Sequence, residues 1–186
     1  MPSSRQKIVP NYTEVAKLVK KYRQADKTIV LTQGSFDMVH IGHGRYLEKA
    51  KKHGDVLIVG VDSDEKIKKR KGLDRPVVPE KERLEMLSFF ASVDHVVLKP
   101  AKAPKWQLIK LIKPDVLIAT ADTYNKQQLK QLNSICRQVV VLPYQATTST
   151  SAKLRRLQLG FVNRFSNLLS EKIDLAVKEV LREMKK

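Results

Sequence analysis

Residues 28–43 read Thr28-Ile-Val-Leu-Thr-Gln-Gly34-Ser-Phe-Asp37-Met-Val-His40-Ile-Gly42-His43, and this stretch decides the fold. Thr28 to Thr32 is a short apolar run rich in β-branched residues. It follows a helical pattern at Val15, Leu18, Val19 and Tyr22, and so predicts a buried first strand. Beyond the turn from Gly34 to Gly42, Tyr46, Leu47 and Ala50 suit a helix to about His53, stopped by Gly54 at a C-cap position. The alternation then repeats. Asp55 to Val61 reads as a strand, and Pro79 opens a helix with Glu80 and Glu82 in the first turn, where the helix dipole favours acids. Strand His95 to Leu98, helix Lys105 to Ile112, strand Asp115 to Ala119, helix Lys126 to Ile135 and strand Gln138 to Leu142 continue it. Five strands alternating with helices predict an α/β fold, a doubly wound parallel sheet flanked by helices. From Phe161, apolar residues at Phe165, Leu168, Leu169, Ile173, Val177, Val180, Leu181 and Met184 predict a long C-terminal amphipathic helix. The expected organisation is an N-terminal extension with a short helix over 1–27, a main domain over 28–158 and a helical appendage over 159–186.

Composition narrows the classes. The 186 residues carry 36 Lys+Arg against 19 Asp+Glu, a formal charge of +17, with 42% hydrophobic and 30% charged residues. A chain of that make-up buries a core rather than remaining disordered. No apolar run approaches the roughly 20 residues of a membrane span, and Met1 is followed by no secretory n-region and h-region. An integral membrane protein is therefore excluded and a cytoplasmic location expected. The single cysteine, Cys136, rules out an intramolecular disulfide and argues against structural zinc. The positive surplus, with its run Lys66, Lys68, Lys69, Arg70 and Lys71, points to phosphate. Aromatic residues make up only 6% of the chain, few for base stacking, so small phosphorylated substrates are preferred to nucleic acid as partners.

Open α/β sheets bind ligands beyond the carboxyl ends of their strands, at the point where strand order reverses. That directs attention to residues 33–43, 62–76, 120–124 and 144–151. In the first of these, His40 and His43 stand three residues apart at the mouth of a helix whose first amides lack partners, a cluster of donors suited to phosphate oxygens. Gly34 and Gly42 let the backbone approach a ligand without an intervening side chain.

This loop resembles that of the cytidylyltransferase-like nucleotidyltransferases, Gly-x-Phe-Asp-x-x-His-x-Gly-His, at Gly34, Phe36, Asp37, His40, Gly42 and His43. The resemblance implies a Rossmann-like fold and attack of a substrate phosphate on the α-phosphorus of a nucleoside triphosphate, ATP or CTP, with release of pyrophosphate. It also implies magnesium with the triphosphate, although no carboxylate cage is visible and the metal ligands are left unknown. His40 and His43 would donate to the α-phosphate. Lys69 and Lys71 match a Lys-x-Lys-Gly loop that joins the two substrates' phosphates. Gly34, Ser35, Phe36, Asp37, Gly42, Arg83 and Asp122 fall in the nucleotide-binding set, and Arg75 in the acceptor-phosphate set. Ser149, Thr150 and Ser151 match the turn that receives the β- and γ-phosphates, at what would otherwise be a simple helix cap.

Within the family, the chain looks most like the adenylyltransferase domain of bifunctional heptose-phosphate enzymes, sharing Lys71-Gly72 and Arg75-Pro-Val. Cytidylyltransferases of polyol and amino-alcohol phosphates carry Arg-Thr-x-Gly before the Ser-Thr turn. Here that stretch is Tyr144-Gln-Ala-Thr-Thr148, which favours AMP transfer over CMP transfer. Ser35, and Thr120 and Ala121 before Asp122, depart from the heptose pattern and argue against a heptose acceptor. A homodimer through the C-terminal helix is expected, with peripheral membrane contact of its basic face the less favoured use of that helix. A non-catalytic nucleotide- or nucleic-acid-binding protein of the same fold is the alternative to an enzyme.

Overall fold

A computed structural model describes residues 4–146 and 150–184, with the backbone alone at 4, 5, 150, 151, 153 and 179. The chain divides into two compact units, Met1–Thr147 and Thr148–Lys186.

The first unit is built on a six-stranded, wholly parallel sheet of order β1-β4-β3-β2-β5-β6. Its strands are β1 (Ile8–Val9), β2 (Ile29–Gly34), β3 (Val56–Asp62), β4 (His95–Lys99), β5 (Val116–Thr120) and β6 (Gln138–Leu142). The sequence predicts five strands, and the sixth comes from the stretch expected to be an extension. Ile8 and Val9 pair with Val96 and Val97, and α1 (Tyr12–Gln24) packs its Val15 into the core, so residues 4–27 belong to the sheet domain. A two-residue strand is too short to leave a period in the sequence.

Successive residues of β2 serve opposite faces. Ile29 and Leu31 join Val9, Val15, Leu108, Ile109 and Ile112 on one side, the side of α1, α5 (Gln107–Ile112) and α6 (Lys126–Asn133). Val30 joins Phe36, Leu47, Ala50 and Leu87 on the other, the side of α2 (Ile41–Lys51) and α4 (Glu80–Ser88). Strands buried on both faces explain why they read as continuous apolar runs.

The segment from Asp64 to Lys71, read as a basic loop, is the helix α3. Ser63 caps it by accepting from the Lys66 amide at 3.3 Å, Asp64 and Glu65 occupy its first turn, and Lys68 to Lys71 its last. Each charge thus lies at the dipole end that favours it, and Gly72, at φ 99°, ends the helix. Among its described residues the second unit contains one helix, α7 (Thr150–Glu183), which begins within the Ser-Thr-Ser stretch read as a helix cap and runs unbroken across position 158 into the apolar stripe from Phe161. Its apolar side chains, among them Phe161, Phe165, Leu168, Leu169 and Ile173, are exposed. No helix among the described residues is long and apolar enough to cross a membrane.

Candidate active site

The chain runs from β2 outward through β3 to β4, then returns to the other side of β2 as β5. Strand order therefore reverses between β2 and β5, and their carboxyl ends open the crevice where such sheets bind ligands. The loop that fills it leaves β2 at Gly34 and enters α2 at His40. Below it, the Thr32 and Tyr46 hydroxyls lie 2.7 Å apart and both reach the Ile118 carbonyl, at 3.2 and 3.3 Å, pinning α2 to the two strands.

The two histidines are locked by their backbone. His40 is the N-cap residue, and its Nδ1 accepts the Gly42 amide at 3.1 Å, while Nδ1 of His43 accepts the His40 amide at 3.2 Å. An imidazole that accepts at Nδ1 carries its neutral-form proton on Nε2, so each ring presents an Nε2–H donor. The rings lie tilted by 44° with 4.2 Å between centroids, and His43 also lies 5.6 Å from Phe36. A side chain at Gly42 is impossible without movement, because a Cβ there would stand 2.7 Å from Ala146 Cβ and 2.8 Å from His40 Cε1. Phe36 and Met38 both take the left-handed backbone at φ 48°, an unfavourable setting for non-glycine residues that tends to collect at functional loops. The structure thus brings Gly34, Ser35, Phe36, Asp37, His40, Gly42 and His43 into one loop.

Asp37 has a different task from the nucleotide contact expected of it. It is buried and accepts from the Val77 and Val78 amides at 3.1 and 3.0 Å and from Arg75, whose Nη2 lies 2.6 Å away. Burial pushes its pKa up, but the two amides and the Arg75 guanidinium outweigh that and hold it below the usual carboxylate value. Arg75, expected on an acceptor phosphate, is correspondingly committed to Asp37. Arg83 is corrected more sharply. Its side chain is fully buried, donating to the carbonyls of Val78 at 2.9 Å, Asp62 at 2.8 Å and Ser35, and to Asp64 at 2.8 Å. It ties the ends of β2 and β3 to the 75–78 loop from inside, since a guanidinium's fan of donors can satisfy several carbonyls at once.

The two lysines part company. Lys69 pairs with Glu65 at 2.7 Å on the exposed face of α3. Lys71, the last residue of α3, has its pKa lowered by partial burial first and then by the neighbouring Arg70 and Arg75 cations, against the pull of Asp37 and Asp62. Arg70, not singled out from the sequence, donates to Ser35 Oγ at 2.8 Å and to Asp62 at 3.1 Å. Its signal was the basic run itself, once that run is wound into a helix with its last turn at the crevice. Asp122, in the turn that follows β5, accepts from the Tyr144 hydroxyl beyond β6. Ser149 lies outside the described residues, and Thr150 and Ser151 are described only as backbone in the first turn of α7. No group of three or more metal-ligating side chains occurs among the described residues.

A parallel α/β sheet with an imidazole pair at the helix mouth of its switch point defines a nucleotide-handling class of Rossmann-like folds. Residues 31–158 match the cytidylyltransferase-like family, and the chain belongs to it. Relatives include the bifunctional protein HldE of a Nitratiruptor species, 37% identical over 82% of this chain and 32% of that protein. The bifunctional protein HldE of Campylobacter jejuni (strain RM1221) is 41% identical over the same shares. The chain thus spans about a third of the length of the curated relatives it matches. Among solved structures, a lipopolysaccharide core biosynthesis protein from Thermoplasma volcanium GSS1 superposes with a TM-score of 0.56 at 27% identity, covering 63% of this chain and 98% of that one. A pantoate-β-alanine ligase from Francisella tularensis shares the fold, with a TM-score of 0.57 at 18% identity over 77% and 68% of the two chains.

Proposed function

We propose that this chain is a nucleotidyltransferase that moves AMP from ATP to the phosphate of a sugar phosphate and releases pyrophosphate. The observation that carries the reading is the imidazole pair locked through Nδ1 at the N-terminus of α2, where a phosphate is favoured, with the neutral-form proton of each ring left on Nε2. In the reaction an oxygen of the acceptor phosphate attacks the α-phosphorus, a new P–O bond forms, and the bond from the α-phosphorus to the bridging oxygen breaks. The pyrophosphate leaves with that bonding pair. Such chemistry asks mainly for positioning and for positive charge where it develops on oxygen. His40 and His43 donate to the α-phosphate oxygens, while Lys71 and Arg70 hold the two substrates' phosphates together. Asp37, Arg75 and Arg83 act behind them, fixing the loops that carry the donors. Magnesium enters as MgATP, part of the substrate, and no step is assigned to a resident metal.

The sugar-phosphate acceptor is supported by the HldE relatives and the lipopolysaccharide core biosynthesis protein, and AMP over CMP by the Tyr144–Thr148 stretch. A cytoplasmic location and self-association through the apolar stripe of α7 go with this reading. Sedimentation of the full chain against a Phe165→Glu, Leu169→Glu double variant tests the latter, and an identical monomeric mass for both removes it. The activity is tested by pyrophosphate release with ATP and CTP separately, against aldose phosphates including heptose 1-phosphate, glycerol 3-phosphate and choline phosphate. Release with ATP and a sugar phosphate is expected. Release with CTP alone moves the chain to the cytidylyl branch, and nucleotide binding without release from either makes it a non-catalytic binder.

A further inference from the structure

The carboxyl ends of β3 and β4 hold an ion pair that the proposed reaction leaves without a task. Asp62 and Lys99 are register neighbours, their charged atoms 2.9 Å apart, with side chains only 2% and 14% exposed. Arg70 reaches the same carboxylate at 3.1 Å and Lys66 at 3.7 Å, so one buried acid faces three cations. Beside them stands Gln33, near the end of β2, whose Nε2 is shut off from solvent with no hydrogen-bond partner among the described residues. The two features share one patch of sheet. A Cβ on Gly60 would stand 2.9 Å from Lys99 Cδ and 3.1 Å from Gln33 Cγ, so both polar chains cross the point that Gly60 leaves bare.

Neither feature is what stability alone would select. A buried ion pair gains little over well-packed apolar residues, and a buried amide without a partner costs the desolvation of its donors. Both lie at the carboxyl edge of the sheet, on the face opposite the one α2 covers, because Gln33 continues the alternation of Ile29 and Leu31. Arg70 joins this cluster to the histidine loop, since it donates to Ser35 Oγ at 2.8 Å as well as to Asp62. The phenol of Tyr12, pushed up to about 12 by burial and then by the Asp62 charge, stands in the field of the same acid. The Lys99 side chain keeps 14% of its surface exposed, so the cluster meets solvent at that end.

Resting on the nucleotidyltransferase reading, we propose that Gln33, Asp62 and Lys99 select the acceptor by binding its hydroxyl groups. A sugar hydroxyl both donates and accepts, which fits an amide donor and an ammonium donor set around a carboxylate acceptor. An amino-alcohol phosphate fails twice: its ammonium meets Lys99, Arg70 and Lys66, and it leaves the Gln33 amide unpaired.

The test uses Gln33→Leu and Lys99→Met in the full chain, with melting temperature, the KM of ATP, and kcat and KM for glycerol 3-phosphate, choline phosphate and a set of aldose phosphates. Loss of one hydrogen bond to the acceptor predicts a rise of about tenfold in the KM of the best sugar phosphate for Gln33→Leu. Its kcat and ATP KM stay within twofold, and its melting temperature is equal or higher because the orphaned amide is gone. Lys99→Met narrows the preference for sugar phosphate over choline phosphate in the same direction. Unchanged sugar-phosphate KM in both variants, or a lower melting temperature for Gln33→Leu, overturns the proposal. If the native chain turns over no acceptor with any nucleotide, the nucleotidyltransferase reading fails separately. The pocket is then read by saturation-transfer NMR with the same phosphates. Sugar-ring signals that vanish in Gln33→Leu support it, and equal or absent signals overturn it.

Discussion

Replacing His43 by Asn and, separately, by Gln divides the two tasks that the structure gives this ring. Its Nδ1 accepts the His40 amide at 3.2 Å, which is half of a reciprocal cap on α2, and this leaves the neutral-form proton on Nε2 as a second donor. The Oδ1 of Asn lies about where Nδ1 lies, so His43→Asn keeps the cap and deletes the outer donor. Gln reaches as far as Nε2 with an amide donor but offers the backbone nothing, so His43→Gln does the reverse. A lost cap costs about 1 kcal/mol, while a lost preorganised donor to a phosphoryl transition state costs about 3 kcal/mol, a factor of about 100 or more in turnover. His43→Asn is thus expected to melt within a degree or two of the native chain and to release pyrophosphate at about 1% of its rate or less. His43→Gln is expected to melt several degrees lower and to keep more activity than the Asn variant. Pyrophosphate release at saturating ATP, with parallel melting curves, reads both. A His43→Asn variant that folds normally and turns over within threefold of the native rate would refute the assignment of Nε2–H to the chemistry.

Other consequences are equally open to measurement. Lys69→Ala is expected to leave kcat/KM within twofold, since Lys69 pairs with Glu65 on an exposed face, whereas Lys71→Ala lowers it about tenfold or more; equal effects in the two would return both lysines to one role. Arg83→Met leaves three carbonyls and Asp64 without their buried donor and is expected to cost about 3–5 kcal/mol by denaturant titration; a loss under about 1 kcal/mol would contradict its role as an internal tie. Acid should weaken the fold in two stages. Burial lowers the His95 pKa from 6.5, so the unfolded chain takes up the proton first and stability falls as pH drops below 6.5. The Asp37 pKa lies below 3.8, so its contribution is whole above that value and is lost as pH falls through and beneath it. Melting temperature against pH should show both declines, and His95→Gln should abolish only the first; a first decline that persists in that variant counts against the histidine.

The inner strands were legible because they are buried on both faces. Each of β2 to β6 carries a short run of apolar residues, and the His40–His43 loop followed from one local stretch. What sequence concealed depended on partners distant along the chain. Ile8 and Val9 become a strand only by finding Val96 and Val97. Lys66 to Lys71 look like a solvated loop until Ser63 caps them and the helix carries Arg70 to Ser35 and Asp62 while Lys69 pairs with Glu65. Arg83 carries the residue type of a phosphate ligand, and only its burial beneath Ser35 and Asp62 reveals a strut. Asp62 and Lys99 are separated by 37 positions and meet because β3 and β4 pair in that register.

The most direct test of the central claim is phosphorus NMR of the full chain incubated with MgATP and the preferred aldose phosphate. Nucleotidyl transfer predicts loss of the phosphomonoester signal and growth in equal amounts of pyrophosphate and of a pair of coupled resonances from a new diphosphate bridge between nucleoside and sugar. An ATP spectrum that stays unchanged with every acceptor, or that yields ADP and inorganic phosphate instead, would contradict the account.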